Sequence, residues 1–251
     1  MWPIAVNGFR EARRNRVTTV AGGFALALLF STSLVTQVTV WTFERVLTDF
    51  GLGMMSLLLA GLAIYLSCGL LPREIERRTI FLVVTRPVSR TRFLVARLLG
   101  NLLTLLVLEL LMIAVFFVEL RLYVVPVTQS TVASLIGLYF ELMVLSAAGF
   151  LFSSFASQLV SGLCTVGVYF AGHFAGDIYR LADRADPSVK GFTRFVYYAV
   201  PNLERVNFRP MAAYRLDVPW EQVTSGCLYA AAFAVVFTAL AALIFERRDF
   251  R

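Results

Sequence analysis

Long apolar stretches dominate this sequence and constrain its fold more than any other feature. Six segments reach or approach the about 20 apolar residues that a helix needs to cross the hydrocarbon core of a bilayer. Their approximate bounds are 17–43, 51–71, 93–118, 131–155, 159–176 and 223–245. Of the 251 residues, 59% are hydrophobic and 16% are charged, against about 45–50% and about 25% in soluble domains. The sequence therefore predicts an all-α integral membrane protein with six transmembrane helices, and it excludes a soluble enzyme.

Basic residues are distributed unevenly between the connections. Fourteen lie on the side that holds the N-terminus, the connection after the second span and the C-terminus, and nine lie on the opposite side. By the positive-inside rule, both termini are predicted to be cytoplasmic and the long loop at 177–222 to be extracytoplasmic. Because the cations fall between apolar stretches, the formal charge of +7 does not indicate a nucleic-acid partner.

Residues 1–16 are predicted to form an interfacial helix before the first span. Trp2, Val6 and Phe9 recur at helical spacing on one side, and Arg10 and Arg14 lie on the other. This pattern is typical of a helix lying in the membrane surface. The alternative is a disordered basic tail that helps to orient the first span.

The connection at 73–90 carries the most informative pattern of charges. Glu74 and Arg78 stand four residues apart in the favourable order, which supports a short helix. Pro87 disfavours helical geometry at Arg86, so this helix should end before it. The segment is either a docking element for a soluble partner or a solvated connector.

Four motifs follow one another along the six-span frame. They are NGFREARRN at 7–15, REIERRTI with TRPVSR and FL at 73–94, YYAVPNLE at 197–204 and FERRDF at 245–250. Together they resemble ABC-2 type permeases, the membrane subunits of a class of ATP-binding-cassette transporters. Many members have a glycine-lysine pair where this chain has Ala96 and Arg97.

The resemblance implies a coupling helix, seated in a groove of a cytoplasmic ATPase subunit, between the second and third spans. The residues that would form this contact are Glu74, Ile75, Glu76, Arg77, Arg78, Thr79, Ile80 and Arg86. It also implies an elbow helix at the N-terminus, two ATPase copies that hold ATP and magnesium, a second permease copy or a similar permease, and a periplasmic accessory protein in some members. The expected location is the bacterial cytoplasmic membrane.

The chain itself has no sequence motif for ATP chemistry. A P-loop needs a lysine followed by Ser or Thr after a glycine-rich turn, and the only lysine, Lys190, is followed by Gly191. The chain is therefore expected not to be an enzyme. Cys68, Cys164 and Cys227 have no CxxC spacing and are predicted to be small buried side chains, with no metal site.

Three ionisable residues are predicted inside spans: Glu109 in the third, Glu141 in the fourth and His173 in the fifth. A charge at the centre of a helix costs about 2.5–3.5 kcal/mol on insertion scales, so each must face protein or water. They either line a translocation path or proton relay, or form structural hydrogen bonds between helices.

Small residues four apart recur in the fourth and fifth spans, as in Gly149 with Ser153 and Gly172 with Gly176. Such spacings allow helices to approach closely. They indicate either packing within one subunit or a fifth span at a dimer interface.

The leading hypothesis is the permease subunit of an ATP-driven transporter, serving either export or force transmission. An ion-coupled secondary transporter or channel is the alternative, but no internal repeat of the kind common in such proteins is evident. An intramembrane enzyme is disfavoured, since HExxH and GxSxG motifs are absent. The sequence leaves the substrate open.

Overall fold

The computed structural model describes residues 22–24, 26–28, 43–76, 90–177, 180, 191 and 199–247. Its helices, in chain order, are α1 (Phe43–Glu76), α2 (Arg90–Leu122), α3 (Gln129–Ser153), α4 (Gln158–His173), a 3-10 helix (Leu203–Val206), α5 (Arg209–Ala213) and α6 (Trp220–Arg247). No strand occurs in these ranges, so the prediction of an all-α fold is confirmed.

Four helices of the described chain are long and apolar enough to cross a membrane. These are Phe43–Gly69, Thr91–Leu122, Gln129–Ser153 and Trp220–Glu246. They coincide with the predicted second, third, fourth and sixth spans. The predicted fifth span coincides with α4, whose 16 residues fall short of the about 20 needed to cross alone.

The predicted first span and elbow helix lie largely outside the described residues. Residues 22–24 and 26–28 are helical, and Phe24 and Leu28 are buried in the main core. The count of six spans and the orientation of the termini therefore remain predictions.

Helices α2, α3 and α4 alternate in direction, because short turns join α2 to α3 and α3 to α4. Contacts at the two ends of the bundle place α1 and α6 relative to them. An ion pair joins Glu44 to Arg215 where α1 begins, and a hydrogen bond from Thr91 to Glu246 joins α2 to α6 at the opposite end. We call the end where α1 begins the upper end and the end where α1 terminates the lower end.

Helix α3 lies at the centre and contacts every other helix of the described chain. Its first turn is capped by the Thr128 hydroxyl, which accepts from the Thr131 N–H at 3.3 Å, as is usual for an N-cap. A tight turn that begins at Ser154 ends it. The absence of a side chain at Gly149 leaves room for Ser67 and Cys68 of α1.

The small-residue spacings serve packing within one subunit. Gly172 faces Leu203 and Gly176 faces Glu204, so neither is available to a second copy. Gly162 and Gly167, in contrast, face open space on α4. Cys68 and Cys227 are buried as predicted, but the prediction for Cys164 was wrong, because it is exposed on α4.

Val124 ends α2 in a strained backbone conformation. Its φ is 56°, a value that β-branched residues rarely adopt, and the next N–H, of Val125, donates to the Leu120 carbonyl at 2.8 Å. Helix ends of this type usually carry glycine. We expect Val124→Gly to raise the free energy of unfolding in detergent by about 1 kcal/mol and the neighbouring Val127→Gly to lower it. A lower midpoint of thermal unfolding for Val124→Gly would contradict the strain.

Candidate functional site

Residues 201–213 enter the upper end of the helix bundle, and we call them the inserted segment. They hold the 3-10 helix and α5, which contact α1, α3, α4 and α6. Leu203, Val206 and Phe208 are each at most 2% exposed. This part of the long loop is therefore built into the core.

Three glycines from three different helices surround the inserted segment. A methyl group at Gly137 of α3, Gly172 of α4 or Gly226 of α6 would come within 3.0 Å of a carbonyl oxygen of the segment. The oxygens belong to Val206, Pro201 and Arg205, respectively. Because the neighbours are backbone atoms, which cannot rotate away, the segment fits only while these three positions lack side chains.

Local hydrogen bonds give the inserted segment its shape. The Asn202 side chain accepts from the Glu204 N–H at 3.1 Å and caps the 3-10 helix. The backbone N–H of Asn202 donates to the Tyr229 hydroxyl on α6 at 3.0 Å, and the Arg205 guanidinium lies 4.6 Å from the same ring centre. The segment is thus tied to α6 by polar contacts as well as by close packing.

A cluster of polar side chains lies beneath the inserted segment. Glu141 Oε1 is 3.5 Å from His173 Nε2, and a terminal guanidinium nitrogen of Arg209 is also 3.5 Å from that nitrogen. The Arg209 Nε donates to Asn207 Oδ1 at 2.9 Å. The cluster therefore joins α3 and α4 to α5.

The histidine's other contact indicates which ring nitrogen carries the proton. His173 Nδ1 is 3.0 Å from the Tyr169 carbonyl, and a carbonyl can only accept a hydrogen bond. Nδ1 is then the donor, which leaves Nε2 to accept from Arg209 in the neutral ring. Through their shared contact with His173, Arg209 also brings a positive charge near Glu141, which is 2% exposed.

Glu141 and Arg209 share a small cavity under the inserted segment. It encloses about 10 Å³ and is lined by Leu52, Ser134, Leu138, Glu141, Val206, Asn207 and Arg209. The lining residues belong to α1, to α3 and to the inserted segment itself.

The structure brings two of the three predicted intramembrane residues together. Glu141 and His173 meet, and Glu109 lies apart from them in a groove between α2 and α3. The sequence analysis missed Arg209 and Asn207, because their loop was predicted to lie outside the spans. In the described ranges, no three His, Cys, Asp or Glu side chains are grouped as a metal site requires.

Further buried polar contacts between helices were also missed. Asn101 of α2 donates to Ser146 of α3 at 3.2 Å, and Cys68 of α1 lies 3.5 Å from the Thr165 hydroxyl of α4. Such contacts fix helix positions in an apolar medium. These contacts were not predictable from the sequence, because single Asn, Ser and Thr residues are common in apolar helices.

The predicted coupling residues are only partly described. Helix α1 continues through Pro72 to Glu76, so Glu74, Ile75 and Glu76 lie in the last described turn of α1, and the separate coupling helix stays a prediction. Proline removes one helical hydrogen bond without ending α1 here. Five predicted contact residues lie outside the described residues: Arg77, Arg78, Thr79, Ile80 and Arg86.

Comparison with known proteins assigns the chain to a family. Among curated proteins, none matches the sequence. A family profile described as ABC-2 family transporter protein matches residues 2–250.

Proposed function

This chain belongs to the ABC-2 family of transporter proteins, and we propose that it couples ATP hydrolysis on a partner subunit to export or force transmission across the membrane. The family makes it a multi-pass membrane permease and a transport component rather than an enzyme. The match over residues 2–250 carries the proposal. We place the chain in the bacterial cytoplasmic membrane, with ATP and magnesium bound by a separate ATPase chain.

The inserted segment is the proposed gate of this permease. It fills the upper end of the bundle through buried apolar residues and the Glu141–His173–Arg209 cluster. Substrate could leave at that end only after the segment had moved. In such a switch, one element usually has two arrangements, and a ligand bound elsewhere favours one of them.

Helix α1 supports a mechanism of coupling between the two ends. Its 34 residues make a rod about 50 Å long, at about 1.5 Å per residue. At the upper end it contacts α5 and pairs Glu44 with Arg215, next to the inserted segment. At the lower end its last turn holds Glu74 and Glu76. A push on the lower end would thus be transmitted to the gate.

We propose an assembly of two permease chains and two ATPase chains. The second permease is either another copy or a similar chain, and a periplasmic accessory protein completes the assembly in the force-transmitting case. Closure of the ATPase pair around ATP would move both coupling segments and open both gates together.

Reversal of charge at the predicted coupling segment, residues 73–90, tests this proposal. We expect Glu74→Lys with Arg78→Glu to abolish co-purification of an ATPase chain in detergent, or its stimulation by the permease. The matched control reverses the pair at the other end of α1, Glu44→Lys with Arg215→Glu. This exposed pair contributes at most about 1 kcal/mol, so the control should retain the ATPase.

Two outcomes would contradict the proposal. One is that no ATPase co-purifies with the wild-type chain, and the other is that both reversals behave alike. Ion coupling through Glu141 and His173 would then be the hypothesis to test, by measuring proton uptake in liposomes.

A further inference from the structure

A second polar position lies outside the gate, in a groove open to the side of the molecule. The groove runs between α2 and α3 and encloses about 380 Å³, within the range of about 300–1,000 Å³ common for small-molecule sites. Its lining includes Leu106, Glu109, Ile113, Phe117, Tyr139 and Phe140. We call it the lateral groove. Every residue in its lining except Glu109 is apolar or aromatic.

Glu109 is a carboxyl group without a hydrogen-bond donor. It is 2% exposed, and neither of its oxygens has a hydrogen-bond partner in the described chain. Among the described residues that line the groove, none carries a positive charge. A buried carboxyl that lacks a donor is costly, so the groove is complementary to a ligand that brings both a donor and a positive charge.

The depth of Glu109 selects among such ligands. It lies 13 residues before Leu122, or about 20 Å at 1.5 Å per residue, and close to the middle of the apolar span Thr91–Leu122. Phospholipid head groups lie outside the hydrocarbon core of about 30 Å. A phospholipid head group, permanently charged and fixed at the surface, would not reach Glu109, whereas a single-chain amine can enter the hydrocarbon core in its neutral form and take up a proton from the carboxyl there.

We infer that the lateral groove binds amphipathic amines, whose protonated head donates to Glu109 and whose apolar tail lies along the aromatic lining. Phe117 and Phe140 contribute apolar surface, and the Tyr139 ring belongs to the same lining as Glu109. This inference rests on the proposed function only in treating the bound amine as transported substrate.

The test measures binding to the full-length chain in phosphatidylcholine nanodiscs. The probe is dodecylamine with a dansyl group at the far end of its chain, and the matched probe has a hydroxyl in place of the amine. We expect the amine to bind about tenfold or more tighter than the alcohol, as for a hydrogen bond to a charged group. Glu109→Gln should remove this difference and leave the alcohol affinity unchanged, which also shows that the variant is folded.

Two further variants distinguish the groove from general effects. Glu119→Gln changes another buried carboxyl of α2 outside the groove and should leave the preference for the amine intact. Ile136 also lines the groove, so Ile136→Trp should fill it and weaken the binding of both probes.

Two results would overturn the inference. The first is equal affinity of wild type and Glu109→Gln for the amine. The second is loss of amine binding in phosphatidylethanolamine nanodiscs, which would identify a lipid head group as the occupant. No ATPase is present in this experiment, so its failure would leave the proposed function standing, and loss of ATPase binding would leave the probe affinities unchanged.

Discussion

Replacement of Gly137 by alanine is expected to displace the inserted segment and to destabilise the upper end of the protein. The added methyl would meet the Val206 carbonyl oxygen, and either the segment or α3 must shift. Overpacking of this kind costs about 1–3 kcal/mol. In a helix, alanine is more stable than glycine by up to about 1 kcal/mol. A net loss of stability would therefore mean that the clash outweighs this gain.

The readout is trypsin cleavage after Arg205 together with the midpoint of thermal unfolding in detergent. We expect faster cleavage and a lower midpoint for Gly137→Ala, Gly172→Ala and Gly226→Ala. Gly162→Ala and Gly167→Ala are the matched controls, because nothing lies within 4 Å of the methyl that they add. These two should raise the midpoint. Identical behaviour of the two groups would show that the segment does not pack as described.

Removal of the Arg209 charge is expected to have the largest effect within the polar cluster. Arg209→Met would leave the buried Glu141 carboxyl without the nearby positive charge, at a cost of about 1–3 kcal/mol. Glu141→Gln in the same chain removes the need for that cation. The double variant should therefore regain most of the lost stability, with a coupling energy of up to about 3 kcal/mol.

A double-mutant cycle in thermal or denaturant unfolding measures this coupling. The exposed pair Glu44 and Arg215 provides a second cycle at the same end of the molecule, where we expect at most about 1 kcal/mol. Additive effects at Glu141 and Arg209 would mean that the cluster does not act as one unit, and the gate would then depend on glycine packing alone.

The helices were predictable because apolar length is read directly from the sequence. The spans at 93–118 and 131–155 were placed within a few residues of α2 and α3, since a bilayer requires long uninterrupted apolar runs. The predicted end of the second span, at 71, lies within two residues of the end of the apolar span at Gly69, and α1 continues beyond it to Glu76. Pro72 does not end α1, because the helix tolerates the loss of a single hydrogen bond.

The candidate site was only half predictable. Glu141 and His173 stood out because ionisable groups are rare in apolar segments, but nothing in the sequence distinguished them from Glu109. That distinction depends on which faces of α3 and α4 meet. Arg209 was missed because a polar loop gives no signal that it re-enters the bundle. The role of Gly137, Gly172 and Gly226 was not predictable, because it depends on the backbone of the inserted segment that packs against them.

Movement of the inserted segment in response to ATP is the central claim, and accessibility at position 206 tests it most directly. Val206 is 1% exposed, so Val206→Cys, in a chain without its three native cysteines, should be protected from a membrane-impermeant maleimide at rest. With the ATPase partner and ATP, we predict faster labelling, which Glu74→Lys with Arg78→Glu should abolish. Equal labelling with and without ATP, in a complex that hydrolyses it, would contradict the account.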